Sequence, residues 1–397
     1  MKNFEFSIPT KVIFGEGKVE EVKNVVSDFG KKGLLIAARD SMRQTGILDR
    51  VIKLAEEGGV ELIVSDEVDP NPCTTYIDRM VDIVKEKNCD FLIGLGGGSS
   101  MDAAKAIAFV AENGGKMEDY HPEGKRGDLE DVVNALPILA ITTTAGTGSE
   151  VTMFSVITNP EKNEKPGIGH TSMYPMVSIV DPQLMVTVPK SVTASTGIDV
   201  LFHAMEAYIS TVATPFTDLL AQESIRLVLE NLREAMDNPK NIEVRAKMAW
   251  ANTLAGVAIV QASTVGIHGM GHPIGGHTNA PHGLTMAALG KAFLKATYDS
   301  DIQRYAHVTR MLGYNCEGLT EEECAEKSSE ALEAVLERFE VNISISDLGV
   351  TEDMIPQLAK DAFATMGGCM DVSLKKLTEE DAIEIYRNSL KPVKVCS

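Results

Sequence analysis

Five short apolar runs, each bounded by turn residues, constrain this chain more than any other feature of it. They cover residues 33–38, 61–64, 91–95, 137–141 and 177–180 and are rich in Ile, Leu and Val. Runs of that length, without polar alternation, read as strands buried on both faces. Helical patterns lie between them. Ile77, Val81 and Val84 share one face of residues 75–87, and Val19, Val22 and Val26 share another before Gly30. Strand–helix alternation of this kind predicts a mostly parallel sheet covered by helices. Residues 4–14 alternate more loosely around Pro9 and read as a strand pair at the sheet edge. After Pro189 the strand pattern fades and Ala, Met and Leu rise. Residues 219–236, 248–265, 328–339 and 379–390 read as helices there. The expected division is an α/β domain over residues 1–185 and an all-helical domain over residues 186–397. The polar stretch 114–133 reads as a surface excursion.

A chain of 397 residues has room for two or three domains with sizeable cores. Its 57 acidic residues outnumber its 37 basic ones, for a formal charge of −20. Such a surface repels phosphate backbones and anionic lipid, so nucleic-acid and membrane-surface partners are excluded. A phosphate ligand must then be held by local donors. Cys73, Cys89, Cys316, Cys324, Cys369 and Cys396 are scattered, with no C-x-x-C pair. The expectation is free thiols in a reducing cytoplasm. Residues Met1-Lys2-Asn3-Phe4-Glu5 carry no apolar signal core, and no apolar run reaches membrane-spanning length. Both point to a cytoplasmic protein.

The segment 91–105 reads as a strand, a glycine-rich turn and a helix start. Gly96, Gly97 and Gly98 let main-chain N–H groups approach a ligand closely, and the helix that follows adds a positive dipole end. That combination can hold a pyrophosphate without a basic side chain. It is not the G-x-G-x-x-G fingerprint, because Ser99 stands where the last glycine is needed, and no Gly-Lys-Ser/Thr makes it a P-loop. Ser99 and Asp102 have the spacing of a capping box, so Asp102 by itself reads first as a cap. A second strand end, Thr142-Thr143-Thr144-Ala145-Gly146-Thr147-Gly148, offers hydroxyls and glycines. Two such loops on one sheet edge suit a dinucleotide. The first domain therefore reads as Rossmann-like.

Residues 248–290 contain no Asp, Glu, Lys or Arg. Average usage would place about ten there. Within this stretch His268, His272, His277 and His282 fall inside 15 residues. Asp199 and His203 are four apart on an expected helix, hence on one face. A carboxylate and imidazoles without thiolate favour a borderline divalent ion such as Fe²⁺ or Zn²⁺. Spacing alone leaves open which members of the cluster ligate. His121, His170 and His307 have no such company.

With these residues in place, the chain resembles the iron-dependent (group III) alcohol dehydrogenases along nearly its whole length. The resemblance rests on Phe14-Gly15-Glu16-Gly17, Asp69-Pro70-Asn71-Pro72, the Gly96–Lys105 loop, Thr143–Glu150, Gly197-Ile198-Asp199-x3-His203 and His268-x3-His272-x9-His282. It implies metal ligation by Asp199, His203, His268 and His282, and places His272 near the reacting centre as a candidate proton relay. It implies that Asn71, Gly97, Gly98, Ser99, Thr142, Thr143 and Lys165 line the dinucleotide, with the site in a cleft between the two domains. Asp102 is carried with them as a cofactor-loop residue. The implied reaction is hydride transfer between a small primary alcohol or diol and NAD or NADP, by a homodimer or larger homo-oligomer.

Three positions depart from that pattern. The second strand ends Ala38-Arg39-Asp40-Ser41, where Asp40 favours NAD while Arg39 with Ser41 would accommodate a 2′-phosphate. The balance leans to NAD. His277 stands where many relatives carry an aromatic residue, and Gly367-Gly368-Cys369-Met370 replaces a segment often containing Asn-Pro. The rival readings are a glycerol-dehydrogenase or dehydroquinate-synthase-like enzyme, or a non-catalytic binding protein. A lyase of that type needs a basic pocket, and residues 248–290 supply no Lys or Arg.

Overall fold

The computed structural model describes residues 3–390, in two units. The first comprises residues 7–188 with 239–249. Its strands are β1 (Lys11–Phe14), β2 (Lys32–Ala38), β3 (Glu61–Val68), β4 (Phe91–Gly96), β5 (Ile138–Thr142), β6 (Phe154–Val156), β7 (Gly167–Gly169) and β8 (Val177–Val180). Six of them form one parallel sheet in the order β1-β8-β5-β4-β2-β3, and β6 pairs antiparallel with β7. Helices α1 (Val22–Val25), α2 (Ser41–Gln44), α3 (Ile47–Glu57), α4 (Thr74–Lys87) and α5 (Gly98–Asn113) belong to the same unit.

The period of two along β2 shows why its run is apolar throughout. Leu34 and Ile36 enter a core with Ile77, Val81 and Ile107, whereas Leu35 and Ala37 enter another with Val22, Leu48 and Val51. Each fully buried side chain of this size contributes about 1.5–3 kcal/mol. The chain steps outward from β2 to β3, then returns to the other side of β2 for β4. Strand order therefore reverses between β2 and β4, which opens a crevice outside their carboxyl ends.

The second unit comprises residues 3–6, 189–238 and 250–390. It holds α6 (Lys190–Tyr208), α7 (Pro215–Asp237), the later part of α8 (Ile242–Ala262), α9 (Gly266–Thr278), α10 (His282–Thr297), α11 (Ile302–Met311), α12 (Glu321–Glu326), α13 (Ser328–Arg338), α14 (Ile355–Asp371) and α15 (Glu379–Ser389). Thr214 caps α7 in a capping box with Pro215 at its first position, an arrangement that needs no tertiary help. No single helix among the described residues is long and apolar enough to cross a membrane.

Several expectations need correction. The edge is not a strand pair: only Lys11–Phe14 forms a strand, parallel to β8. Pro9 supplies no N–H for a ladder upstream of it. The helix expected over 248–265 starts at Ile242, inside charged sequence, and stops at Ala262 because Ser263 takes a left-handed conformation (φ 61°). Helix α9 forms despite Pro273 and several glycines, and residues 266–275 are all buried within it, so packing overrides propensity. Cys316 and Cys324 are not free thiols but a disulfide, with Cα atoms 5.6 Å apart. The turn between α11 and α12 folds them together, a relation that their spacing in sequence does not announce. Cys73, Cys89 and Cys369 are free, and Cys396 lies outside the described residues.

Candidate functional site

The first cluster of functional groups lies in the sheet unit. Because β2, β4 and β5 are parallel neighbours, their carboxyl ends share one edge. Asp40 follows β2, Gly97, Gly98 and Ser99 follow β4, and Thr142 and Thr143 close β5, where Gly96 pairs with Thr142. Gly97 is the N-cap of α5, and the helix runs from Gly98. A Cβ on Gly98 would lie 2.6 Å from the Thr147 side chain, so the two loops approach as closely as glycine permits. The Thr143 N–H donates to the Gly96 carbonyl at 2.9 Å, and the Lys165 ammonium donates to Asn71 Oδ1 at 2.6 Å.

Asp102 does not cap the helix. Ser99 and Asp102 lie within its body, and Asp102 accepts from the Ser149 hydroxyl at 2.6 Å and from the Val156 N–H at 3.0 Å. It ties the glycine-loop helix to the second loop. Sequence reasoning also passed over Lys105, one turn further on. Its ammonium is fully buried and donates to Ser149 O, Ser149 Oγ and Phe154 O at 2.7, 2.7 and 2.9 Å. Burial pulls its pKa down to about 8, against the opposing pull of Asp102 and Glu150, and burial raises that of Asp102.

The second cluster lies in the helical unit. Asp199 and His203 face the same way from α6, His268 sits in the first turn of α9, and His282 is the first residue of α10. One donor atom from each lies within 4.8 Å of all the others. His203 Nε2 and His268 Nε2 are 3.1 Å apart, and Asp199 Oδ1 is 3.8 Å from His268 Nε2 and 3.6 Å from His282 Nε2. Four ligands about 2.1 Å from a tetrahedral ion would be ~3.4 Å from each other. The donor set thus fits a borderline divalent ion in both spacing and chemistry. His272 is buried beside this set, its ring centre 5.0 Å from that of His282, but it is not one of the four. His277 turns elsewhere, with Nε2 2.8 Å from Asp361 Oδ2.

Sequence reasoning missed Glu206. It follows His203 by three positions and Asp199 by seven on α6, a spacing that already marks one helix face. Its fully buried carboxylate meets His268 Nδ1 at 2.5 Å and accepts from the Val265 and His268 N–H groups at 2.8 and 3.2 Å. Burial raises the Glu206 pKa and lowers that of His268 to about 3, and the two N–H groups act in the carboxylate's favour.

Residues 9–182 match the family profile described as iron-containing alcohol dehydrogenase, and residues 193–390 match the C-terminal region of the same family. The chain belongs to the iron-containing alcohol dehydrogenase family. Among its relatives is the NAD-dependent methanol dehydrogenase of Bacillus methanolicus, 37% identical over 97% of this chain and 99% of the relative. The 1,3-propanediol dehydrogenase of Klebsiella pneumoniae is 33% identical, covering 97% of this chain and 98% of its own. The solved structure of an archaeal halo-thermophilic Red Sea brine pool alcohol dehydrogenase superposes with a TM-score of 0.93 at 34% identity, covering 98% of this chain and 100% of that one.

For an iron-containing alcohol dehydrogenase of this form, one small residue is decisive for the ligand geometry. A Cβ on Gly283 would lie 2.0 Å from the Ser195 carbonyl oxygen of α6, which is main chain and cannot swing aside. Glycine after His282 is what lets α10 begin against α6. Gly283→Ala is expected to lower stability by about 1–3 kcal/mol through overpacking. It should also weaken metal retention, since His282 moves with the helix. Thermal melts with and without added zinc check this; a melt unchanged in both conditions would remove the steric argument.

Proposed function

We propose that this chain interconverts a small primary alcohol or diol and its aldehyde by hydride transfer to or from NAD, with a ferrous ion held by Asp199, His203, His268 and His282. The observation that carries this reading is the convergence of those four donor atoms in a chain of this family. Zinc suits the same donors. The relatives named for methanol and 1,3-propanediol support a small primary alcohol as substrate. When bound, the ion supplies a Lewis acid that stabilises negative charge on the alcohol oxygen. His272 takes up and releases the alcohol proton beside it. The Gly97, Gly98 and Ser99 main chain cradles the pyrophosphate, Thr142, Thr143, Asn71 and Lys165 line the dinucleotide, and Asp102 fixes the Ser149 loop against that cradle. The protein works as a homodimer or larger homo-oligomer in the cytoplasm, and its charge of −20 supports the absence of nucleic-acid or membrane partners.

Asp40 receives the adenosine ribose, and NAD is preferred over NADP. The Arg39 guanidinium that could greet a 2′-phosphate is instead paired with both Asp69 carboxylate oxygens, at 2.9 and 3.0 Å. Asp69→Ala is expected to release that charge and raise kcat/KM for NADPH at least tenfold relative to NADH, the pair's local neutralisation being lost. Steady-state rates with both cofactors check it; an unchanged ratio would show that Arg39 does not read the phosphate. The assignment as a whole is tested by NADH oxidation with a panel of short aldehydes on iron-reconstituted protein, with and without chelator. Turnover insensitive to chelation, or absent with every aldehyde, would overturn it.

A further inference from the structure

Glu206 is a carboxylate of α6 that hydrogen-bonds the start of α9. It projects from α6 on the face that carries Asp199 and His203, and it ends at the start of α9, where Val265 is the N-cap. One of its oxygens, Oε2, accepts the main-chain N–H groups of Val265 and His268. The other, Oε1, meets the Nδ1 of His268. With Nδ1 committed to a carboxylate, the His268 proton belongs on that nitrogen, and the opposite nitrogen, Nε2, keeps its lone pair. Nε2 is the atom that faces His203 Nε2 and Asp199 Oδ1.

We infer that Glu206 is a positioning residue that fixes the tautomer and the ring orientation of His268 and thereby sets how tightly the metal is held. This rests on the proposed metal centre and deepens it. Two features make the device specific. Glu206 has no exposed surface, so bulk solvent does not reach it. Its two oxygens are already divided between acceptor tasks, so an isosteric amide cannot satisfy both. In Glu206→Gln the amide nitrogen must face either His268 Nδ1 or the two main-chain N–H groups. The second arrangement sets donor against donor. The first turns Nδ1 into an acceptor and moves the proton to Nε2, the nitrogen that should ligate.

The test uses the full-length protein and Zn²⁺, titrated against a competing chromophoric chelator. Wild type is expected to bind one equivalent; failure to do so would defeat the metal centre itself rather than the role of Glu206. Glu206→Gln is expected to bind zinc 10- to 100-fold more weakly, the usual effect of losing a carboxylate behind a ligating imidazole. Ser373→Ala is the control: the Ser373 hydroxyl accepts from the Gly266 N–H at 3.0 Å and so steadies the same helix start without touching His268. Its zinc affinity should stay within twofold of wild type. Equal losses in both variants, or none in Glu206→Gln, would overturn the inference by reducing Glu206 to a helix staple. If Glu206→Gln does not fold, histidine-selective ¹⁵N spectra of zinc-loaded wild type decide. They should show His268 metallated at Nε2 and protonated at Nδ1; metallation at Nδ1 would overturn it equally.

Discussion

His268→Ala is expected to leave a folded protein that retains no stoichiometric metal and oxidises alcohol at least 10³-fold more slowly. The scale follows from the several kcal/mol of charge stabilisation a Lewis-acid ion supplies, at 1.36 kcal/mol per decade of rate. His268 is chosen because its surroundings admit no replacement. It is 3% exposed, and its ring lies 4.5 Å from that of His203 and 5.1 Å from that of His282. Truncation opens a cavity of imidazole size and leaves Glu206 facing it, so melting temperature should fall as well. Elemental analysis beside steady-state rates checks the pairing of the two losses. Metal retained at one equivalent, or a rate within tenfold of wild type, would remove His268 from the ligand set.

Lys105→Met is expected to cost about 3–5 kcal/mol of stability, the usual consequence of deleting one partner from a buried charged network. Asp102 would lose the cation that acts on it most strongly, and the Ser149 and Phe154 carbonyls would lose a donor. The effect has a pH signature. The Lys105 pKa of about 8 in the fold lies below its ordinary value of 10.5. Between those values the unfolded chain binds the proton that the folded chain has released. Wild-type stability from this group therefore rises as pH climbs through 8 and is lost as pH falls through it. The methionine variant has no such gain, so its deficit should widen between pH 7.5 and 9.5, by up to about 2 kcal/mol. Urea unfolding of both proteins at the two pH values checks this. Deficits equal at both would show that Lys105 keeps its proton throughout.

The parallel sheet was legible because its inner strands are buried on both faces, and that condition writes itself as unbroken apolar runs such as Leu34-Leu35-Ile36. The metal-centre candidates were legible because His268 and His282 are polar residues in a stretch without charge, and Asp199 and His203 share a helix face. The rest depended on contacts distant in sequence. Helix α9 carries Pro273 and exists through burial, which composition does not record. Asp102 has the spacing of a cap, yet its partners Ser149 and Val156 come from 47 and 54 residues away. Glu206 looked like any helical glutamate until the start of α9, 59 residues on, was seen to end on it. The Cys316–Cys324 pair was invisible because two thiols eight positions apart have no signature.

The origin of the four donors has a consequence for the order of folding. Asp199, His203 and Glu206 come into line as soon as α6 winds, because helix geometry alone aligns them. His268 and His282 arrive only when α9 and α10 dock; the His203–His268 contact spans 65 residues. Closing a loop of that length is an entropic cost that early, local structure does not offset. A divalent ion bound by all four donors would therefore be seated only once α9 and α10 have docked on α6. Held by these four donors, it would stabilise the docked bundle by an amount that grows with its free concentration.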